Sequence, residues 1–264
     1  PWTPRGTYEI RRAAVYQFHA ATAGKWRAGN VFLAGDAAHQ TPPFLGQGMN
    51  AGMRDVINFA WKLALVCQGV AEDKLLDSYG TERTAHATDL VEWAVAIGHL
   101  MEHQAAIELA QRQGKAPPKT PASLKSSGYG QGRESPPIRE GVLQLDQISD
   151  KGSTGYLFSQ PIVTTREGHT CKLDALLGSG FALVYRGDLS LNEHSAEIVS
   201  RLNIKRLNIE KLNEQRGHFD NVFRTSRCAL IRPDRIVYGH TTDTVDENML
   251  LADLEKRLAL LPLT

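Results

Sequence analysis

The feature that most constrains this chain is a strand-loop-helix pattern in residues 31–58, VFLAGDAAHQTPPFLGQGMNAGMRDVIN. The apolar run at residues 30–34 has the length of a buried strand, and it ends at Gly35 and Asp36. Open α/β sheets bind ligands beyond the carboxyl ends of their strands, where a carboxylate can accept hydrogen bonds from ligand hydroxyl groups. Free backbone N–H groups at the start of the following helix favour an electron-rich or anionic ligand edge. The unit therefore predicts a binding site for a large cofactor.

Two long helices are predicted after this loop, as a layer against a sheet that includes a strand at residues 9–16. The first helix has the i, i+3, i+4, i+7 apolar spacing of an amphipathic helix and ends at Gly69. Its predicted apolar stripe consists of Met53, Val56, Ile57, Ala60, Leu63, Ala64 and Cys67. The second helix runs from about Leu75 to past Met101, and one face carries Leu90, Ala94, Ile97 and Met101.

Composition divides the rest of the chain. Prolines and glycines are too frequent between residues 112 and 155 for a helix or central strand, so we predict a connecting arm. Its glycine-rich piece at 128–132 is interpreted as linker rather than a phosphate loop. After the arm we predict strands at 180–185, 227–232 and 235–238 and helices at 195–202 and 247–261. The predicted units are 1–111, 112–155 and 156–264, and the fold class is α/β.

The loop and its flanks resemble a known family. The elements GDAAH at 35–39, PP at 42–43, GQGMN at 46–50 and Asp55 are similar to the second FAD-binding motif of single-component flavoprotein aromatic hydroxylases. The similarity is greatest to the branch of 3-(3-hydroxyphenyl)propionate and phenol hydroxylases. Residues 170–184 resemble the thioredoxin-like C-terminal domain of that branch. The resemblance implies part of the FAD-dependent hydroxylase fold, with a strand, a loop and long helices, followed by a thioredoxin-like α/β domain.

The resemblance also implies roles for individual residues. Asp36 would bind the ribityl hydroxyls of FAD, Pro43 would lie near the ring face where oxygen reacts, and the backbone from Gly46 to Asn50 would meet the pyrimidine edge of the flavin. The implied cofactor-binding residues are Gly35, Asp36, Pro43, Gly46, Gln47, Gly48, Met49 and Asn50. The implied reaction is hydroxylation of a phenol with FAD, NAD(P)H and oxygen, and no catalytic residue is assigned.

Part of the family pattern does not occur in these 264 residues. There is no GxGxxG, which the family carries after its first strand, and no mid-chain Asp-Gly motif. The sequence also begins at Pro1 without a signal-peptide pattern, so we expect it to be part of a longer enzyme. We expect the chain alone to bind FAD weakly or not at all and to be inactive.

Charge and cysteine usage bear on partners and location. Lys plus Arg is 30 and Asp plus Glu is 29, and this net charge of +1 argues against nucleic-acid binding. No segment approaches the roughly 20 apolar residues of a membrane span. Cys67, Cys171 and Cys228 are far apart and form no CxxC, so we expect reduced thiols, a cytoplasmic location and no thiol-disulfide catalysis. Apolar surface at the missing part of the fold predicts a homo-oligomer.

Two alternatives come from other functional classes. His99 and His103 with Glu102 match the H-x-x-E-H zinc pattern, although accidental helix-face residues explain it better. The last domain could instead be a non-catalytic association module.

Several polar positions are given structural interpretations. We expect a structural hydrogen bond for His39, ordinary polar helix positions for Arg54 and Asp55, and core positions for Met49 and Met53. Residues 201–216 are interpreted as a solvated face, and residues 232–235 as a hairpin turn.

Overall fold

The computed structural model of the chain describes residues 9, 11–121, 136–149, 152–219 and 221–262. Its first part contains four short strands. Strands β1 (Ala21–Thr22) and β4 (His39–Gln40) pair antiparallel, and so do β2 (Arg27–Ala28) and β3 (Val31–Phe32). Two small hairpin-like sheets therefore precede the helices.

The strand predictions in this part are largely wrong. The described residues of the segment 9–16 form no strand and are exposed. The predicted buried strand at 30–34 is only the two-residue β3, whose Val31 is 66% exposed. Strand β3 pairs only with β2 among the described residues, so it is not part of a larger sheet there.

The two predicted long helices are confirmed. Helix α1 (Gly48–Cys67) ends just before Gly69, whose φ of +67° is a left-handed conformation that glycine adopts without strain. Helix α2 (Asp77–Arg112) runs past Met101 as predicted and packs against α1. Leu90, Ala94 and Ile97 on α2 are buried as predicted, whereas Met101 is 55% exposed. No described helix is long and apolar enough to cross a membrane.

The prediction of which side of α1 faces inward is wrong. Met53, Val56 and Ile57 from the predicted stripe are each about half exposed or more. The buried side carries mostly polar residues instead, namely Ala51, Asp55, Asn58, Trp61 and Lys62. These polar groups have charged partners on α2 and in the last domain. These ion pairs and hydrogen bonds, rather than the apolar periodicity, therefore determine which side of α1 faces inward.

The second part is an α/β unit with two sheets. Its described strands in chain order are β5 (Ile162–Thr165), β6 (Thr170–Lys172), β7 (Ala182–Tyr185), β8 (Lys205–Asn208), β9 (Leu212–Arg216), β10 (Cys228–Ile231) and β11 (Val237–His240). The main sheet has the order β11-β10-β7-β8, in which only β7 and β8 are parallel, and the antiparallel sheet has the order β6-β5-β9. The described helices are α3 (Leu173–Leu177), α4 (Glu193–Arg201) and α5 (Glu247–Leu258).

The main sheet is buried on both faces. One face packs Leu183 and Leu230 against Leu251 and Leu254 of α5, and Trp61 of α1 belongs to the same core. The other face packs Val184 and other residues of the sheet against α3. Because α4 joins the parallel strands β7 and β8, and the hairpin β10–β11 leads into α5, the arrangement agrees with the predicted thioredoxin-like unit.

The sequence reasoning found β7, β10, β11, α4 and α5 but missed four strands. The missed strands β5, β6, β8 and β9 are short and rich in Thr, Lys, Arg, Asn or Glu. Residues 205–208 and 212–216 were expected as a solvated face, and they are strands that nevertheless expose most of their side chains. Backbone pairing in a solvated sheet leaves no hydrophobic signature, so periodicity could not reveal them.

A buried polar network joins α1 and α2 to the last domain. The Glu82 carboxylate on α2 accepts bonds from Lys62 Nζ at 3.0 Å, Arg232 Nη2 at 2.7 Å and Asn58 Nδ2 at 2.7 Å. Arg232 also pairs with Asp234 at 2.6 Å. The side chains of Lys62, Glu82 and Arg232 are fully buried. Residues 232–235 therefore form the predicted hairpin turn and also an internal ion-pair junction.

Residues 136–149 of the predicted arm are fastened to the same junction. The backbone N–H of Val142 donates to Glu82 Oε1 at 2.8 Å, and its carbonyl accepts from Arg232 Nη1 at 2.9 Å. Ile138, Val142 and Leu143 are buried. The glycine-rich piece 128–132 lies outside the described residues. The proposed unit boundaries at 111 and 155 stay predictions.

Charge in this network is balanced, because Lys62 and Arg232 face Glu82 and Asp234. Burial lowers the pKa of Lys62 to about 8, although the Glu82 charge opposes this shift. Burial opposes ionisation of Glu82, but Arg232 and Lys62 outweigh it and lower its pKa to about 2. Removing one partner would leave buried charge unpaired, which costs more than the pair itself contributes.

We predict that Glu82→Gln destabilises the chain by about 3–5 kcal/mol, because Lys62 and Arg232 lose their shared carboxylate. Urea unfolding measures the change. Glu92→Gln, at an exposed position of the same helix, is the matched control and should cost under about 0.5 kcal/mol. Equal unfolding free energies for the two variants would contradict a junction centred on Glu82.

We also predict an acid-sensitive stability. A carboxylate with a lowered pKa stabilises the fold above its unfolded pKa, and this stabilisation is lost as pH falls toward the folded value. For Glu82 the loss should run from about pH 4.5 down to about pH 2. Unfolding free energies measured across this range should therefore fall more steeply for the wild type than for Glu82→Gln. Parallel pH profiles would contradict the assignment.

Candidate flavin site

The bend after β3 begins at Gly35, whose φ of +59° is left-handed. Residues Gly35–Ala37 form one turn of 3-10 helix, closed by the Ala38 N–H donating to the Gly35 carbonyl at 2.8 Å. A Cβ at Gly52 would lie 3.3 Å from the Gly35 Cα atom, so the bend lies directly against α1. Asp36 is exposed at the outer side of the turn. The carboxylate is therefore available to a ligand.

The second half of the bend leads into α1. Residues Pro43–Leu45 form a further 3-10 turn that ends at Gly46, with φ of +61°. The first bond into the helix runs from the Ala51 N–H to the Gln47 carbonyl at 2.8 Å. The N–H groups of residues 48–50 lie ahead of that bond, and the first turn carries no acidic side chain. They form the positive end of a 20-residue helix.

Asp55 fixes the bend through hydrogen bonds on its buried side. Its Oδ2 atom accepts from the Gly35 N–H at 2.9 Å and lies 2.8 Å from His39 Nε2. Its Oδ1 atom accepts from Arg83 Nε at 2.8 Å. Asp55 is fully buried, and His39 and Arg83 are each 2% exposed. One carboxylate thus ties the bend, β4 and α2 to α1.

The electrostatics favour a charged Asp55. Burial alone would raise the pKa of its carboxyl group, but the bond to His39, the charge and bond of Arg83 and the Gly35 N–H together hold the pKa below its usual value. The charged carboxylate can then act as a fixed acceptor for the turn. His39 makes the structural hydrogen bond that was expected of it.

The structure brings all eight predicted cofactor residues onto this one bend. Gly35 and Asp36 lie at its first turn, Pro43 at its second, and residues 46–50 at the start of α1. Asp55 is the position that sequence reasoning undervalued, since it was interpreted as an ordinary polar helix residue. Its spacing in the family motif was the available signal. Met49 and Met53 are 76% and 48% exposed, so their expected core positions are wrong.

The donor set suits the ring and ribityl portion of FAD. An exposed carboxylate can accept from sugar-alcohol hydroxyls, and a helix start can donate to an electron-rich heterocycle edge. A Cβ atom added at Gly46 or Gly48 would meet nothing within 4 Å, so open space lies beside the backbone there. The residues present therefore fit the flavin part of the cofactor.

The zinc alternative gains no geometric support. His99 and Glu102 are exposed and lie 3.4 Å apart, and His103 contacts Thr120 Oγ1 at 3.2 Å. Across the residues that the structure describes, no group of three or more His, Cys, Asp or Glu side chains is arranged to hold a metal ion.

Comparisons with known proteins point to the same class of site. Residues 3–94 match the family described as the FAD binding domain, and residues 155–257 match the HcaD C-terminal domain. A 3-(3-hydroxy-phenyl)propionate/3-hydroxycinnamic acid hydroxylase of Klebsiella pneumoniae (strain 342) is 38% identical over 182 residues, covering 67% of this chain and 32% of that protein. The hydroxylase of the same name from Mycolicibacterium vanbaalenii is 38% identical over 179 residues with the same coverage.

Solved structures share the fold. Aklavinone-11 hydroxylase, in a ternary complex with FAD and aklavinone, has a TM-score of 0.63 at 26% identity over 92% of this chain and 46% of that chain. The flavin-dependent monooxygenase PieE has a TM-score of 0.66 at 19% identity, covering 92% of this chain and 50% of that chain, and supports the fold alone.

The fold and the bend define part of a FAD-binding domain followed by a second α/β domain. In sequence and in fold, the chain is similar to part of the FAD-dependent aromatic hydroxylases. It spans 32% of the length of the curated relatives described above.

We predict that Asp55→Asn destabilises the chain by about 3 kcal/mol, because Arg83 loses its buried counter-charge. The amide hydrogen of Gly35 should also exchange faster with solvent, which NMR measures at that residue. Asp73→Asn breaks only an exposed pair with Arg27 and serves as the control, with a cost under about 1 kcal/mol. Unchanged Gly35 exchange in Asp55→Asn would show that the carboxylate does not hold the bend.

Proposed function

We propose that the chain supplies the flavin-ring side of the FAD site in a monooxygenase that hydroxylates phenolic aromatic substrates with NAD(P)H and oxygen. The observation that carries the proposal is the exposed bend between β3 and α1. This bend brings Asp36 and the N–H groups at the start of α1 together, and the buried Asp55 supports it from the inner side. Hydroxylase relatives and a FAD-bound structural neighbour support it. The bound cofactor would supply the redox chemistry.

Each group on the bend has a separate task in this proposal. Asp36 accepts hydrogen bonds from ribityl hydroxyls, and the N–H groups of residues 46–50 donate to the pyrimidine edge. These donors also stabilise negative charge on that edge when it is reduced. Pro43 bounds the ring face without offering a competing donor.

The complete reaction is proposed only for a protein that also holds the ADP part of the cofactor. The 264 residues contain no GxGxxG, which the family carries in its dinucleotide-binding fold, so we propose weak FAD binding and no hydroxylation by this chain alone. A homo-oligomer and a cytoplasmic location are proposed for the parent enzyme, with a phenolic small molecule as substrate.

We predict that FAD, titrated into the ¹⁵N-labelled chain, shifts the amide signals of Gly35 and residues 46–50 more strongly than those of other residues. Asp36→Ala should weaken this binding about tenfold, because a charged acceptor contributes roughly 1.5–3 kcal/mol. Asp243→Ala removes an exposed carboxylate far along the chain and should leave the titration unchanged. Shifts confined to other regions, or equal titrations for both variants, would refute the proposed site.

A further inference from the structure

The bend at residues 35–50, called the flavin bend below, is not bonded directly to the last domain. Among the described residues, no hydrogen bond or ion pair joins residues 35–50 to residues 156–262. The bend is held instead by Asp55 of α1, which accepts from the Gly35 N–H at 2.9 Å and pairs with Arg83 of α2 at 2.8 Å. Polar contacts that could link the last domain to the bend therefore run through α1 and α2.

Arg232 of the last domain, just after β10, contacts both of these helices. Its Nη2 atom donates to Glu82 of α2 at 2.7 Å, and its guanidinium carbon lies 5.3 Å from the ring centroid of Trp61 on α1. Its partner Asp234 accepts from Nδ2 of Asn58 on α1 at 2.9 Å. Arg232 is fully buried, so water does not compete for these contacts. One hairpin of the last domain is therefore bonded to both helices.

The contacts of Glu82 lie next to those that hold the bend. Glu82 and Arg83 are consecutive in α2, and Asn58 follows Asp55 by three residues, about 4.5 Å along the axis of α1. Arg83 donates to Asp55 at 2.8 Å, and Asn58 donates to Glu82 at 2.7 Å, so both pairs cross from one helix to the other. Close-packed interiors transmit strain, and buried ion pairs depend on good geometry. A shift of α2 at Glu82 would therefore disturb the pair that holds the bend.

We propose that Arg232 is a positioning residue for the flavin bend and that it acts through the packing of α2 on α1. By holding Glu82, it keeps Arg83 paired with Asp55. That carboxylate in turn holds the Gly35 N–H and the first turn of the bend. The last domain thus contributes to the flavin site, although none of the eight residues assigned to the flavin belongs to it. That the positioned bend binds flavin rests on the proposed function, whereas the coupling itself does not.

Amide hydrogen exchange in the ligand-free 264-residue chain tests the coupling. Arg232→Gln should speed exchange of the Gly35 amide at least about threefold, because the carboxylate that accepts its hydrogen is held less firmly. Asp234→Asn is a milder change in the same turn, and it should speed this exchange by about twofold. This milder variant decides the question if Arg232→Gln does not fold. Unchanged Gly35 exchange in the folded variants would overturn the proposal.

Leu173→Ala is the matched control for general loss of stability. Leu173 is fully buried in the core between the main sheet and α3, and that core contains no residue of α1 or α2. The cavity left by truncation should lower the Tm, as Arg232→Gln does, but leave Gly35 exchange within about twofold of the wild type. Equal acceleration by these two variants would contradict a specific role of Arg232.

A second background tests the route through Asp55. In Asp55→Asn the Gly35 N–H has already lost its charged acceptor, so adding Asp234→Asn should not speed its exchange further. Acceleration of the same size in both backgrounds would show that the last domain does not act on the bend through this carboxylate.

FAD titration separates this inference from the proposed function. Where the wild-type chain binds FAD, Arg232→Gln should weaken binding at least about threefold, and Leu173→Ala should bind as the wild type does. Equal FAD binding by Arg232→Gln and the wild type would refute the positioning role and leave the flavin assignment intact. A wild-type chain that does not bind FAD would count against the proposed function, and Gly35 exchange would still decide the coupling.

Discussion

The structure depends on the burial of charge along one side of α1. Asp55 fixes the bend through Gly35 and His39 and fixes α2 through Arg83, while Lys62 meets Glu82 two turns further along. A helix whose inward side is charged can pack only where complementary groups meet it, since unpaired buried charge is strongly destabilising. The ion pairs thereby fix the rotation of α1 and the position of the bend before it.

This orientation has a consequence for the outward side of α1. Met49, Met53, Val56 and Ile57 are exposed next to the flavin bend, and Phe44 of the preceding loop is 41% exposed. The polar inner side fixes α1 through ion pairs, whereas the apolar outer side stays exposed among the described residues.

Much of the site was predictable, whereas its support was not. The motif at residues 35–50 is local, so its resemblance to a family names the bend residues directly. The role of Asp55 depends on Arg83, which lies 28 residues away, and that of Glu82 depends on Arg232, which lies 150 residues away. Apolar periodicity found both long helices but gave the wrong buried side for α1, because periodicity cannot register a distant counter-charge. Strands β8 and β9 escaped notice for a related reason, since their pairing is made by backbone atoms and their side chains resemble a solvated surface.

The orientation of α1 is the claim on which the account rests, and solvent paramagnetic relaxation measures it directly. A soluble gadolinium chelate added to the methyl-labelled chain broadens the NMR signals of exposed methyl groups. The account predicts strong broadening for Met53 and Ile57 and protection for the Ala51 methyl group, which is 1% exposed. Protected Met53 and Ile57 signals with a broadened Ala51 signal would contradict it.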